Sequence, residues 1–259
     1  MSLSQTALRA APLALLFGLS LSAQAAIVTV LPTNPTWSSL GNSGGGSSAI
    51  TATAPRSGNG SLQMTGDRTR FQSAAANLGL LNDVLSLTFD WSIAVGSTAL
   101  LNPDYTPALR LLVVDNGQFS ELIWEGAYNN TYGATTQGQW YGSGVNDVFH
   151  RWVAGVGGTT DNGSQVTLSI EAWADNASIG GTQWYSNSAV VYAISVGAGS
   201  SAGGGFRAFA DNVTYATAAG STTYNFEATA AAAVPEPASL ALVGLALAGA
   251  GLARRKTRG

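Results

Sequence analysis

The sequence predicts an all-β protein, a two-sheet antiparallel β-sandwich of jelly-roll type, flanked by an N-terminal signal helix and a short C-terminal hydrophobic helix. Three observations predict it. Apolar residues alternate with period two along several runs; Gly- and Asn-centred turn signals separate those runs; and no stretch between residues 26 and 233 sustains a helical period. Gly, Ser, Thr, Ala and Asn are abundant and charged residues make up only 10% of the chain, a mixture that suits short strands joined by tight turns.

Taken in order, residues 1–25 read as a Sec signal peptide, with Arg9 as the positive charge, an apolar run from Ala11 to Leu21, and Ala23-Gln24-Ala25 as a small-x-small cleavage site. The sandwich is expected over 26–227. Its first strand falls at 27–31, and a Gly/Ser-rich loop at 41–48 leads to a strand at 49–54. Asn59-Gly60 is a turn before 61–65, where Leu62 and Met64 share a face. The clearest strand is 84–95: Leu85, Leu87, Phe89, Trp91, Ile93 and Val95 alternate with smaller or polar residues, so one face belongs to the core. The nearly continuous apolar run at 108–114 suits a strand covered on both sides. Asp115-Asn116-Gly117 then turns it into 119–125 as a hairpin. Further strands are expected at 148–153, 165–173, 190–196, 206–215 and 222–227, with another turn at Asp161-Asn162-Gly163. An Ala-rich linker fills 228–233, and the chain closes with a distinct segment at 234–259.

Composition excludes several classes. Between 26 and 233 there are six arginines, no lysine and thirteen acidic residues, a net charge of −7, so nucleic acid is not an expected partner. No cysteine is present, and the single histidine, His150, rules out a multi-histidine metal site.

The closing segment has three parts: Pro235-Glu236-Pro237, an apolar run from Ala238 to Ala253, and a basic cluster of Arg254, Arg255, Lys256 and Arg258. The prolines fix φ and remove amide donors, keeping the motif extended. Sixteen helical residues span about 24 Å, short of the roughly 30 Å hydrocarbon core, which suits a temporary membrane anchor with its basic end in the cytoplasm. This tail resembles the PEP-CTERM sorting signal of Gram-negative bacteria, a family associated with exopolysaccharide production. The resemblance implies recognition by an exosortase-type protease after passage through the Sec translocon. It also implies a transient stay in the inner membrane and delivery to the cell surface or extracellular matrix. An ordinary tail anchor containing the same tripeptide is the alternative.

A second resemblance covers about a quarter of the mature chain. GNGSLQMT, LLVVDNGQFSELIWEGAYN, FRAFADNVTY and TTYNFE are similar to strands of concanavalin-like and carbohydrate-binding-module jelly rolls. It implies a structural calcium ion at Asp211, which alternation places on one face with Arg207, Phe209, Val213 and Tyr215. A carboxylate on such a face must be hydrogen-bonded, paired or cation-bound. A capped loop backbone or an arginine partner therefore stays open.

The candidate carbohydrate-binding residues are Trp173, Glu171, Trp140, Tyr141, Trp184 and Tyr185. If Val166, Leu168, Ile170 and Ala172 point inward, then Glu171 and Trp173 point outward, and an outward indole beside a carboxylate can form a sugar platform. A rim tryptophan under a loop is the alternative. The pairs Trp140-Tyr141 and Trp184-Tyr185 lie in Gly/Ser/Asn-rich segments, where exposed aromatics make contacts. Trp91, Trp124 and Trp152 are assigned to the core.

An enzyme needs a placed acid and base. Glu121 and Glu125 share a strand face, about 13 Å apart along the axis, beyond the roughly 5–9.5 Å of glycosidase carboxylate pairs. A cross-strand pair such as Glu121 with Glu171 stays open. Ser143, Asp147 and His150 hold the letters of a triad without a nucleophile elbow. The expectation is a non-catalytic protein with no catalytic residues, associated with polysaccharide. A self-associating matrix protein is the alternative, and a polysaccharide hydrolase comes third.

Overall fold

The structure is a computed structural model describing residues 25–34, 36–175 and 181–230. The signal segment up to residue 24 and the sorting segment 234–259 lie outside the described residues, as does the end of the linker. The first strands are β1 Ala25–Val30, β2 Trp37–Ser39, β3 Ser47–Thr51, β4 Ser61–Thr65, β5 Arg70–Ser73 and β6 Val84–Ile93. Then come β7 Ala108–Asp115, β8 Gln118–Trp124, β9 Trp140–Gly142, β10 Val148–Val153 and the short β11 Gly157–Gly158. The hairpin strands β12 Thr160–Asp161 and β13 Ser164–Gln165 precede β14 Thr167–Ser169 and helix α1 Ile170–Ala174. The chain ends its described part with β15 Val190–Gly197, β16 Arg207–Thr217 and β17 Gly220–Phe226.

Two sheets face each other. In the first, β16 runs down the middle with β6 and then β9 on one side; β4 and β17 divide its other side, backed by β3 and β1. β1 joins β17 in parallel, and the remaining pairs of this sheet are antiparallel. The second sheet has the order β11-β10-β8-β7-β15-β5-β2, with β14 also on β10, and is antiparallel throughout. Between them lies one core: Leu62, Met64, Leu87, Phe89, Trp91, Ala208, Ala210 and Val213 from the first sheet meet Leu109, Leu111, Val113, Leu122, Trp124, Ile194 and Val196 from the second. The predicted antiparallel sandwich is therefore the architecture found, and the 115–117 turn closes β7 onto β8 as expected.

Three local departures matter for function. Residues 170–174 form α1, not the end of a strand. Ser169 caps it by accepting the Ala172 N–H, and Glu171 sits in the first turn, where a carboxylate favours the helix. Ile170, Trp173 and Ala174 are the buried side chains, at helical rather than strand spacing. Second, β16 carries a bulge: Asp211 pairs with Asp90 and Thr214 with Thr88, so three steps on β16 match two on β6. Asn212 takes up the kink at φ 49°. Third, a shift at the start of β6 turns Val84 inward and leaves Leu85 48% exposed, while Val95 lies beyond the strand at 74% exposed.

Candidate functional site

The outer face of the second sheet carries the charged residues. On β8, Leu122 and Trp124 belong to the core, so Glu121, Ile123 and then Glu125 point the other way. On β7 the same alternation turns Arg110 outward between Leu109 and Leu111. Cross-strand register then aligns Ser195, Arg110, Ile123 and His150 in one row, and Leu112, Glu121 and Trp152 in the next. Gly197 separates Ala108 from Arg70 in a third row. A Cβ at Gly197 would meet the Thr69 backbone, so glycine there lets β5 lie close to β15, and Arg70 reaches across the face to Glu121.

Loops raise walls around that floor. Gly41, Ser43 and residues 198–201 contribute, together with Leu101, Tyr105, Ala127, Tyr128 and Tyr132, enclosing a cleft of about 530 Å³ that also reaches Arg68 and Trp152. Leu101 is joined to the 198–201 loop by its N–H, which donates to the Ser201 carbonyl at 3.3 Å. At its centre Arg70 holds the Glu121 carboxylate with both nitrogens, Nη1 to Oε1 at 2.7 Å and Nη2 to Oε2 at 3.0 Å. Arg110 is 3% exposed and makes a 3.5 Å ion-pair contact from Nε to the same carboxylate; among the described residues its Nε and Nη1 have no hydrogen-bond partner. Burial first, and then the Arg70 charge, pull its pKa down to about 10. The Glu125 carboxyl is raised by burial, against the lowering influence of Arg110. Burial likewise pushes Tyr105 and Tyr132 up to about 12, with the Glu125 charge second. His150 is pushed down to about 4 by burial and then by Arg110, so it is neutral at pH 7; its ring meets Tyr128 edge-on at 5.2 Å.

The residues expected to bind carbohydrate do not gather in this cleft. Trp173, expected to face outward, is 1% exposed: α1 turns it inward, its Nε1 donates to the Phe149 carbonyl at 2.9 Å, and it meets Trp184 and Tyr185 edge-on. Tyr185 is buried beside the Ser120 hydroxyl under the Arg151 guanidinium. Trp184 is half-buried against that cluster and Glu171 is exposed on α1. Trp140 and Tyr141 form the edge strand β9, where Tyr141 stacks on Trp91 at 4.9 Å and Trp140 lies under Arg56. Tyr141 also borders a smaller cavity of about 220 Å³ with Trp91, Trp124 and Asp147.

Trp152 is the aromatic that the sequence reading misplaced. Assigned to the core, it is instead 38% exposed on the cleft. The signal was present: Phe149 and Val153 point inward on β10, so alternation sends Trp152 out with His150.

Asp211 is also placed differently. The bulge returns Val213 and Tyr215 to the core while leaving Asp211 on the outer face, so the five residues from Arg207 to Tyr215 do not share a side. There Asp211 is fully buried beneath the loop at 56–59. Its Oδ1 accepts the N–H groups of Asn212 and Phe226, both at 2.8 Å, and its Oδ2 accepts that of Ser57 at 3.3 Å. It works as a backbone cap, the hydrogen-bonded alternative to a calcium ligand. Among the described residues no three His, Asp or Glu side chains converge as a metal site. Ser143 and Asp147 are likewise structural: the Ser143 hydroxyl accepts from Phe89 N–H, and Asp147 accepts from Trp124 Nε1 and Gly144 N–H.

Outside the described residues, positions 233–256 match the PEP-CTERM protein-sorting motif. No curated protein matches the chain. The motif is the recognition signal for exosortase and marks the chain for export to the surface or exterior of a Gram-negative cell.

Proposed function

We propose that this exosortase-sorted surface protein is a non-catalytic module that holds polysaccharide in the cleft on the outer face of its second sheet. The observation that carries this reading is the exposed Trp152 ring on the same cleft as Tyr105, Tyr128, Tyr132 and a set of charged groups. Flat aromatic faces offer apolar area with a polar tip, and nearby charged groups supply hydrogen bonds for hydroxyls. Two features favour binding over hydrolysis. Both oxygens of Glu121 are engaged by Arg70, so it is not a free acid or base. Glu125 lies four residues further along the extended chain, just past the end of β8, about 13 Å away in that direction, farther than a glycosidase pair allows.

Affinity electrophoresis tests it. The full chain in mild detergent is expected to be retarded in gels containing the producing organism's exopolysaccharide. Trp152→Ala should weaken the apparent affinity about tenfold, equivalent to about 1.4 kcal/mol, with an unchanged unfolding midpoint. No retardation, or equal retardation of the variant, would discard the reading.

One observation favours a second reading, a matrix protein that associates with itself. Strand β1 lies at the end of the first sheet and pairs with β17 on one side, and its Ile27 is 75% exposed. An edge strand of this kind can accept another chain. Sedimentation that depends on protein concentration, with no preference for any glycan, would favour it.

A further inference from the structure

Resting on the reading of this cleft as a glycan site, we infer that it selects acidic polysaccharide and that Arg110 receives a uronate carboxylate on the cleft floor. A guanidinium is always charged and offers five N–H donors in a planar fork. When it is taken out of water, those donors need acceptors. Arg110 is 3% exposed, yet the protein supplies it with little. Glu121 gives its good geometry to Arg70 and meets Arg110 Nε at only 3.5 Å, and two of the three Arg110 nitrogens, Nε and Nη1, make no hydrogen bond among the described residues. The one other carboxyl on the cleft, Glu125, makes no side-chain hydrogen bond among the described residues. The arrangement has two arginines sharing one well-bonded carboxylate, and a second carboxyl that burial drives toward its neutral form. An incoming carboxylate matches the planar fork, where the hydroxyls of a neutral sugar do not.

The surrounding groups fit the same ligand. Trp152, Tyr128 and Tyr132 line the same cleft as Arg110, and Arg68, which also lines it, pairs with Asp67 at 2.6 Å. The groups around Glu125 are Arg110 on β7, Tyr105 before it, Tyr128 and Tyr132 after β8, and Glu121 on β8, the strand that Glu125 follows; His150 on β10 is neutral. A bound carboxylate adds negative charge to this set. It favours protonation of Glu125, which can then donate to the ligand. Binding should therefore take up a proton and strengthen as pH falls, until the polymer's own carboxylates protonate.

The test compares the full chain in affinity gels containing polygalacturonate, its carboxyl-reduced neutral counterpart, or dextran sulfate, at pH 5.5 and 7.5. The expected result is retardation by polygalacturonate that is at least tenfold stronger than by the other two polymers, and stronger at pH 5.5. Glu125→Gln, whose amide cannot titrate, should remove the pH dependence of the retardation. Arg110→Met should abolish the preference for the acid, and Trp152→Ala, which leaves Arg70, Arg110 and Glu121 in place, should weaken binding whatever the folding of the arginine variant. Equal retardation by the reduced polymer would overturn acid selectivity while leaving the glycan cleft standing. Equal retardation by dextran sulfate would show charge attraction without carboxylate recognition, and no retardation by any polymer would overturn both readings.

Discussion

Asp211 shows how much a single carboxyl can organise. Its two oxygens tie together Ser57 of the 56–59 loop, Asn212 at the bulge and Phe226 at the end of β17, while Glu227 next along accepts the Asn59 N–H at 2.6 Å. Burial raises its pKa to about 6, although the three backbone N–H groups act in the opposite direction. A raised carboxyl pKa means that the folded chain holds the proton more tightly than the unfolded one. The stability gained in this way is fully present below the ordinary value of 3.8 and is lost as pH rises through about 6. Asp211→Asn removes that titration. It also leaves one N–H facing an amide NH₂, which lowers stability by about 1–2 kcal/mol. Urea unfolding between pH 4 and 7 should therefore show the wild type losing stability relative to the variant across the window from about 4 to 6. Parallel curves would show that Asp211 does not titrate there. The calcium reading makes a different forecast, since a cation at Asp211 would make the unfolding midpoint fall on adding chelator; with both oxygens given to backbone donors, no such fall is expected.

Among the elements, strands with a long regular alternation were legible and those with a local change of period were not. The core face of β6 could be read from Leu87, Phe89, Trp91 and Ile93, and the β7–β8 hairpin from its Asp-Asn-Gly turn. Alternation puts Glu121 and Glu125 on one side of the chain, and both line the cleft; that Arg110 and Arg70 join them is not readable, because cross-strand register is a tertiary property. The bulge in β16 defeats alternation because one extra residue moves every later side chain to the other face. In α1 the sequence Val166, Leu168, Ile170 satisfies a strand, and only Ser169 as a cap and the 170, 173, 174 spacing favour a helix. The same misreading produced the expected Trp173 platform.

Asn212 makes the bulge testable. Its φ of 49° suits Asn or Gly, and its Nδ2 donates to Ser57 Oγ at 2.7 Å and to Asp90 Oδ2 at 2.9 Å. Asn212→Gly keeps the backbone and loses those bonds, at about 1 kcal/mol. Asn212→Val adds the strain of a β-branched residue at positive φ, about 1–3 kcal/mol more. Denaturant midpoints should fall in that order, and an equal fall for both variants would mean that the side-chain bonds, not the kink, carry the stability.

At the scale of the whole molecule, the cleft and the rest of the chain have opposite electrostatic character. The span from 26 to 233 carries −7, while the cleft floor pairs Arg70 and Arg110 with a single well-bonded carboxylate. An acidic polymer approaching from solution meets repulsion over distances that salt screens, about 10 Å at 0.1 M. The carboxylate that reaches Arg110 meets an attraction at a buried group, which salt screens much less. Raising salt should therefore hold or strengthen polyuronate binding up to about 0.2 M, the reverse of a basic surface that loses affinity as counterions compete. Gels run at 20 and 200 mM salt distinguish the two. Retardation that falls steeply with salt would assign the interaction to exposed arginines such as Arg68, whose side chain is 51% exposed, and not to the floor. The same repulsion bears on self-association through β1: copies carrying −7 repel one another, so oligomers formed along that edge should be scarce at 20 mM salt and increase at 200 mM. Neither form of association then weakens with salt over this range, and only the polymer-bound form is sensitive to Arg110→Met.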